Sequence, residues 1–222
     1  MTYQTSEACR EFDRWSGRYD RDVLQLLFFR PSHRMLLENI RADDRRILDI
    51  GCGTGQFAAA VHKRCPQARV YGLDLSGQML RQGAKRCDGA GGAIQLVQGD
   101  SARLPFADDA FDVVTCAHSF HHYPSQSNVL AEMHRVLRPG GRLMIVDGDR
   151  DRWWGRILFD GIVVMIEGQV RHLSSRAFRS LYRRTGFDDI RQRRRRGPLP
   201  FLLTVGRAAK SAMHPAPGRT RA

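Results

Sequence analysis

The sequence predicts an α/β fold built on a doubly wound, mostly parallel sheet with helices on both faces. Three observations support this prediction. A glycine-rich turn joins an apolar run at 47–50 to a helical pattern that starts near Phe57. Segments typical of strands then alternate with segments typical of helices. Acidic residues also stand at the ends of strands one, two, three and five, and in an open parallel sheet the carboxyl ends of the strands form the ligand-binding edge.

The turn Asp49-Ile50-Gly51-Cys52-Gly53-Thr54-Gly55 is the most informative segment. Glycine lets the backbone pass close to a ligand and adopt conformations that cost other residues about 1–2 kcal/mol. The dinucleotide fingerprint has its third glycine at the sixth place, whereas here it comes at the fifth and Gln56 takes the sixth. The Gly-Lys-Ser/Thr end of a phosphate-binding loop is absent. The remaining pattern, acid-x-Gly-x-Gly-x-Gly, indicates a nucleotide site or, alternatively, an ordinary glycine-rich turn.

The elements that follow the turn favour the nucleotide site. A second strand, 68–74, ends in Asp74 about twenty residues after the last glycine, where a doubly wound domain places its ribose-binding carboxylate. Ser76 is a typical N-cap for the helix that begins with Met79 and Leu80. The later elements are a third strand at 94–98 before Asp100 and Ser101, a fourth at 111–116, a helix at about 126–137, and a fifth strand that ends in Asp147.

Five motifs together resemble those of the class I S-adenosylmethionine-dependent methyltransferases, in the broad group of quinone-ring and small-molecule enzymes (methyltransferase type 11). The resemblance covers about residues 12–207, and five matches in this order and spacing are specific where any one would be weak. It implies a Rossmann-like sheet of seven strands, completed by a C-terminal antiparallel hairpin at 189–196 and 200–206. The motifs lie at 49–55, 72–76, 99–101, 111–122 and in the Leu-Arg-Pro-Gly-Gly turn at 137–141.

The resemblance also implies which residues hold S-adenosylmethionine. Asp49 would lie near the ammonium of its methionine part, Asp74 would accept both ribose hydroxyls, and Asp100 would accept the adenine amino group. Tyr19 would close the methionine end, unless it is a core aromatic of an N-terminal helix. Leu75 and Met79 would sandwich the adenine ring, to which the Ser101 N–H would donate. The full predicted set is Tyr19, Asp49, Gly51, Cys52, Gly53, Gly55, Asp74, Leu75, Met79, Asp100, Ser101 and Ala117.

A cluster of histidines after the fourth strand supplies the candidates for catalysis. The sulfonium methyl is already activated, so the protein mainly aligns the reactants and excludes water, and a base is needed only if the acceptor must lose a proton. The resemblance places this segment beside the transferred methyl, and histidine titrates in the useful range. We predict His118 as the residue that faces the pocket and His121 as the second candidate. The alternative is that His121 and His122 cap or orient the loop.

Two departures limit how closely the subfamily can be assigned. The quinone-ring enzymes usually end strand five with a Glu-Phe-Ser-Lys-Pro-like segment, where this chain has Val146-Asp147-Gly148-Asp149. Nothing resembles the Asn-Pro-Pro-Tyr motif of the methylases that modify amino groups of nucleic-acid bases, which counts against an enzyme of that class.

The chain divides into a predicted N-terminal helical cap (1–45), a methyltransferase domain (46–207) and a basic, disordered tail (208–222). Residues 148–172 interrupt the alternation and, in this fold, would cover the reactive end of the cofactor. Trp153, Trp154 and the apolar run at 157–166 indicate a lid over an apolar, aromatic or lipid-like acceptor; the alternative is a packing helix. That run is too short to span a membrane and is interrupted by Asp160 and Gly161.

The net charge of +13 is concentrated in the C-terminal quarter. Residues 171–222 hold 14 Lys and Arg against Asp188 and Asp189, so the remainder is nearly neutral. An anionic membrane surface or a nucleic acid would fit this charge, with nucleic acid the weaker candidate because exposed aromatics are not interleaved with the arginines. The alternative is a solvated surface in an arginine-biased protein, since only three of the 36 basic residues are lysine.

The five cysteines are scattered, odd in number and without a Cys-x-x-Cys pair, which predicts reduced thiols in a cytoplasmic protein and no metal site. The sequence therefore predicts a methyltransferase with a small apolar acceptor. A phospholipid-headgroup or RNA methyltransferase remains an alternative. A catalytically silent protein that binds the cofactor or a lipid is the alternative of another class, although the intact turn and three carboxylates argue against a loss of cofactor binding.

Overall fold

The computed structural model describes residues 29–159, 170–195 and 199–209. Tyr19, most of the predicted N-terminal cap, residues 160–169 of the predicted lid and the tail from residue 210 lie outside these ranges.

Seven strands within the described residues form one sheet in the order β3-β2-β1-β4-β5-β7-β6. The first five strands of this order are parallel, and β7 runs antiparallel to both β5 and β6. The predicted fold class, including the C-terminal hairpin, is therefore confirmed. The strands are β1 Arg46–Ile50, β2 Arg69–Asp74, β3 Ile94–Gln98, β4 Phe111–Ala117, β5 Leu137–Gly148, β6 Phe187–Arg194 and β7 Phe201–Ala208.

The helices cover both faces of this sheet, which explains why the central strands are continuously apolar rather than alternating. One core joins β1, β4 and β5 to α4 and α6; the other joins the opposite side chains of the same strands to α1 and α2. The helices are α1 Arg30–Leu37, α2 Gln56–Arg64, α3 Gly77–Cys87, α4 Gln126–Arg135, α5 Trp153–Ile157 and α6 Ser175–Arg184.

Local signals in the sequence set several of these boundaries. The Ser76 hydroxyl accepts a hydrogen bond from the Met79 N–H at 3.1 Å, so Ser76 caps α3 as predicted. The predicted turn at 137–141 lies within β5, where the pairing with β4 shifts between Phe111 and Val113. The Pro139-Gly140-Gly141 segment is thus an irregularity inside the strand rather than a turn before it.

The C-terminal hairpin differs from the prediction at its ends. β6 begins two residues earlier than predicted, and β7 continues through Ala208. Ala208 pairs with Phe187 and is buried, so this residue belongs to the sheet and not to the tail to which we assigned it.

Candidate active site

The glycine turn lies between β1 and α2 in a conformation that other residues rarely adopt. Gly51, Gly53 and Gly55 all have positive φ angles, of 70°, 53° and 69°. The Gly51 and Cys52 N–H groups donate to the Leu73 carbonyl at 2.8 and 3.1 Å, which ties the turn to the end of β2. A Cβ atom on Gly51 would lie 2.6 Å from Ser119 Cβ. The turn therefore needs glycine at position 51 for both its backbone angle and its close contact.

Asp74 holds the same turn from the end of β2. Its Oδ2 atom accepts the Gly53 N–H at 2.7 Å, and its Oδ1 atom accepts the Ser76 N–H at 2.9 Å. Each carboxylate oxygen has a second lone pair, so Asp74 can still accept hydroxyl donors. Asp74, the residue predicted to bind the ribose, therefore also has a structural role that the sequence prediction did not include.

Asp100 completes a row of acids along the carboxyl ends of three neighbouring strands. It follows β3, is half-buried, and accepts the Ala102 N–H through Oδ1 at 2.8 Å. The neighbouring Ser101 is buried; near the start of α3, Leu75 is half-buried and Met79 is buried. Because β3, β2 and β1 are adjacent in the sheet, Asp100, Asp74 and Asp49 lie along one edge, which we call the acidic rim.

Asp49 is the most buried member of the acidic rim, with 3% of its surface exposed. Its Oδ1 atom accepts the Thr115 hydroxyl at 2.8 Å. Burial raises the pKa of Asp49 to about 7, against the opposing effect of the Thr115 hydrogen bond and with a further rise from the charge of Asp74. With this pKa the carboxyl of Asp49 is about half-protonated at pH 7, and a cationic ligand group would favour its ionised form.

Asp49 lines a cavity of about 20 Å³, which has room for about one water molecule. Three further residues that the sequence predicted, Gly51, Cys52 and Ala117, lie in the wall of the same cavity. Thr54 also belongs to the predicted glycine turn, whereas Phe29, His33 and Gln56 were not among the predicted site residues. The complete lining is Phe29, His33, Asp49, Gly51, Cys52, Thr54, Gln56 and Ala117.

His33 is the most informative of the residues that were missed. Burial, and after it the charge of His118, lowers the pKa of His33 to about 4, so its imidazole is neutral at physiological pH. Phe29 and His33 are four residues apart, which places both on one side of the helix. That spacing is visible in the sequence, but nothing in it shows that this side faces the turn after β1.

His118 lies directly after β4, next to Ala117. Its φ angle is 52°, an uncommon conformation for a residue with a side chain, and such strain is found most often at functional sites. Its Nε2 atom is 2.6 Å from the Ser32 hydroxyl. The rings of Phe29 and Phe201 contact it edge-on, at 5.5 and 4.7 Å between centroids. His118 therefore lies beside the cavity, in contact with two aromatic rings and one hydroxyl.

His121 is buried and belongs to a second cluster, centred on Asp147 at the end of β5. The His121 Nδ1 atom is 2.6 Å from Asp147 Oδ1, which also accepts the Gly148 N–H at 2.8 Å. His172 Nε2 lies 3.6 Å from the same oxygen. Burial opposes ionisation of Asp147, but His121 first, and then His172 and His118, outweigh that effect and hold its pKa below the usual range.

Two histidines and a carboxylate are a ligand set that transition metals use. The orientation of the rings does not suit that role. The imidazoles of His121 and His172 are stacked, with centroids 4.2 Å apart and planes only 26° apart. A metal ion bound in the plane of one ring would lie outside the plane of the other. The cluster is better described as a buried carboxylate with two imidazole groups packed against it.

Comparison with known proteins gives the family of the chain. The sequence profile described as "Methyltransferase domain" matches residues 48–145. A ubiquinone/menaquinone biosynthesis C-methyltransferase UbiE from Dinoroseobacter shibae is 32% identical over an alignment of 171 positions that covers 67% of this chain and 68% of that protein. The chain belongs to the class I S-adenosylmethionine-dependent methyltransferases.

Other relatives of this chain match over shorter lengths. A demethylmenaquinone methyltransferase from Deinococcus radiodurans is 40% identical over 110 residues, which are 50% of this chain and 46% of that protein. One from Geobacillus kaustophilus is 34% identical and is covered to 64%. The chain thus spans about half to two thirds of the length of the curated relatives it matches.

Solved structures share the fold of this chain at low sequence identity. A protein solved in complex with the Haloferax volcanii Trm112 methyltransferase activator is 20% identical, with a TM-score of 0.78 over 90% of this chain and 98% of that one. An S-adenosylmethionine-dependent methyltransferase from Thermotoga maritima is 21% identical, with a TM-score of 0.72 over 90% and 99%. Among the residues that the structure describes in this methyltransferase, no helix is both long and apolar enough to cross a membrane.

We predict that Gly51→Ala abolishes cofactor binding and lowers the free energy of unfolding by more than the left-handed conformation alone would cost. The matched control is Gly92→Ala, because Gly92 has a φ angle of 80° but no atom near the position of its Cβ. The control should lose about 1–2 kcal/mol and bind the cofactor normally. Urea unfolding and calorimetric titration with S-adenosylmethionine measure both quantities. Equal effects of the two substitutions would show that the contact with Ser119 is unimportant.

We predict that Asp49→Asn stabilises the ligand-free protein in a pH-dependent way. The pKa of Asp49 is raised in the folded state, so its ionisation costs stability as pH rises from about 4 to about 7, and the cost is constant above that. The gain in free energy of unfolding should therefore grow through this window, to at most about 4 kcal/mol. Urea unfolding from pH 4 to pH 8 tests this, and a gain that does not change with pH would contradict it.

Proposed function

We propose that this protein transfers a methyl group from S-adenosylmethionine to a carbon atom of a small, apolar, quinone-like acceptor, as a cytoplasmic enzyme. The observation that carries the proposal is the acidic rim beside three left-handed glycines. The acceptor is inferred from the relatives, which are named as demethylmenaquinone and ubiquinone/menaquinone C-methyltransferases. A phospholipid headgroup or RNA as acceptor is less well supported, because these relatives are named for quinones.

The residues of the site fit the chemistry of this cofactor. When bound, S-adenosylmethionine supplies a methyl group on a cationic sulfur, and the C–S electron pair stays on the sulfur when the methyl leaves. Asp49, at the wall of the cavity, would bind the ammonium of its methionine part. Asp74 would accept the ribose hydroxyls, and Asp100 the adenine amino group. Charge-assisted hydrogen bonds of this kind contribute about 1.5–3 kcal/mol each.

The cofactor is much larger than the present cavity of about 20 Å³. Its methionine end can therefore enter only if some of the lining side chains move. Phe29 precedes α1, and its ring contacts that of His118. His33 lies in the first turn of α1, and its ring contacts that of Phe57. They are the side chains whose displacement would open the cavity without disturbing the turn. Entry of the cofactor would then remodel the start of α1.

An apolar acceptor is supported by the side chains beyond the ends of β4, β5 and β7. Phe201 is fully buried against His118, and Phe159 packs on Gly148 and on the ring of His172. Both rings are buried, so a flat aromatic acceptor would stack on them once side chains around the site move, and its polar oxygens would then face the histidines. These residues also exclude water, which would compete for the methyl group.

Methylation of a ring carbon releases a proton from that carbon, so we assign a base to this site. His118 adjoins the cavity through Ala117 and is the residue placed to accept that proton. The imidazolium that results would be stabilised by the buried Asp147, whose pKa the charge of His118 already lowers. His121 and His172 would act through the same carboxylate, by holding its position.

We predict that the purified protein transfers a labelled methyl group from S-adenosylmethionine to a short-chain demethylated naphthoquinol. We also predict that the Asp74→Ala variant binds the cofactor at least about 100-fold more weakly than the parent does. Asp100→Ala, which leaves the turn intact, should weaken binding about tenfold. Asp43→Ala, an exposed carboxylate in the loop before β1, is the control. Calorimetry and counting of label in an organic extract measure binding and transfer. Normal binding by Asp74→Ala would overturn the cofactor site, and binding without transfer to any acceptor would overturn the enzyme.

We predict that His118→Ala lowers kcat by about 100-fold or more with little change in cofactor affinity, because it removes only the proton acceptor. The acidic limb of the pH–rate profile should disappear with it. His134→Ala, near the end of α4 at the opposite edge of the sheet, is the control. An unchanged kcat and pH profile in His118→Ala would refute the role of His118 as base.

A further inference from the structure

A pair of large apolar side chains is exposed on α5, which follows the end of β5. Trp153 is 72% exposed and Ile157 is 59% exposed, and no other large apolar side chain in the described ranges is classed as exposed. The two residues are four apart, so they project from the same side of the helix. Arg152 and Arg156, which are also exposed, flank them. An exposed tryptophan flanked by arginines is typical of surfaces that enter the interface of a bilayer.

A basic groove lies at the same corner of the molecule. It has a volume of about 480 Å³ and lies between α1 and the end of β6. Five arginines line it against the single carboxylate of Glu38. We call them the arginine groove: Arg30, Arg34, Arg193, Arg194 and Arg195.

Direct contacts join the arginine groove to α5. Arg194 forms an ion pair with Asp149 at 2.9 Å and a second with Asp151, two residues before Trp153. Gly155 packs on the Asp149 carbonyl and on Pro200, next to the start of β7. The exposed apolar pair and the arginines therefore form one continuous surface. Seven arginines face three carboxylates on it, so its net charge is positive.

The sheet topology places this surface near the reactive end of the site. β6 is antiparallel to β7, and β7 is antiparallel to β5, so β5 and β6 end at the same edge. That edge also carries the acidic rim, because β1 to β5 are parallel. Asp147, whose pKa the charge of His118 lowers, is only two residues before Asp149.

We propose that this surface binds an anionic membrane, with Trp153 and Ile157 inserted among the lipid headgroups and the arginine groove in contact with lipid phosphates. The inference builds on the proposed function in one respect: an apolar acceptor dissolved in the bilayer would reach the site without crossing water. The binding itself depends only on the surface and needs neither cofactor nor acceptor.

The test is co-sedimentation of the full chain with vesicles of phosphatidylglycerol and phosphatidylcholine in equal parts, compared with phosphatidylcholine alone. We expect binding to the mixed vesicles that weakens as salt is raised, and little binding to the neutral ones. Arg30→Gln/Arg193→Gln should weaken it about 10- to 30-fold, since each arginine near an anionic surface contributes about 1 kcal/mol. Trp153→Ser/Ile157→Ser should weaken it at least about tenfold, because both lose apolar insertion.

The matched control is Lys63→Gln/Arg64→Gln, which removes the same charge from the end of α2. These residues lie beside the amino ends of the parallel strands, away from the proposed membrane surface, so the control should bind as the parent does. Equal loss in this control would overturn the proposal, as would equal binding to neutral vesicles or a Trp153→Ser/Ile157→Ser variant that binds normally. Preference for a single-stranded RNA over anionic vesicles at physiological salt would overturn it in favour of a nucleic acid.

The outcome can be separated from that of the proposed function. Methyl transfer to a water-soluble acceptor should be the same in Arg193→Gln as in the parent, because Arg193 lines the arginine groove and not the cavity at Asp49. Transfer without vesicle binding would remove only the membrane surface. Vesicle binding without transfer would remove only the enzyme and leave the membrane surface supported.

Discussion

Asp74 carries the interaction on which the site depends. Its two carboxylate oxygens bind the N–H groups of Gly53 and Ser76, which belong to two different connections. One is the glycine turn after β1, and the other is the start of α3, where Ser76 is also the N-cap. The same side chain therefore fixes the distance between the part of the site near Asp49 and the part near Asp100. A carboxylate is suited to this work because it can hold two backbone donors and still accept hydroxyls.

Two buried carboxyls divide the site electrostatically. Asp49 lies near the end of β1 and Asp147 near the end of β5, and these two strands are the neighbours of β4. Both carboxyls are almost completely buried. Asp49 faces a neutral hydroxyl, so burial raises its pKa to about 7. Asp147 faces imidazoles, and these lower its pKa in spite of burial. One end of the site thus favours the arrival of a cation, while the other already holds an anion that can stabilise a protonated histidine.

The sequence predicted the parts of this arrangement that local patterns determine. The strand ends with their acids, the N-cap at Ser76 and the hairpin all follow from short-range signals or from the family resemblance, and the fold confirms them. That His33 lines the cavity could not be predicted, because its position depends on how α1 packs on the turn. The pairing of Asp147 with His172 was missed for the same reason: 25 residues separate them, and no motif links the two.

The sheet order explains why the basic charge lies where it does. The parallel core is close to neutral, and the hairpin that carries the arginines forms the far edge of the sheet. β4, β5 and β7 separate β6 from β1 in the sheet, so the arginines of β6 do not lie beside Asp49. Arg194 still reaches the end of β5 through Asp149, which links the edge to the strand that ends beside His121. A basic surface can therefore lie at the same end of the sheet as the acidic rim and leave its charge balance intact.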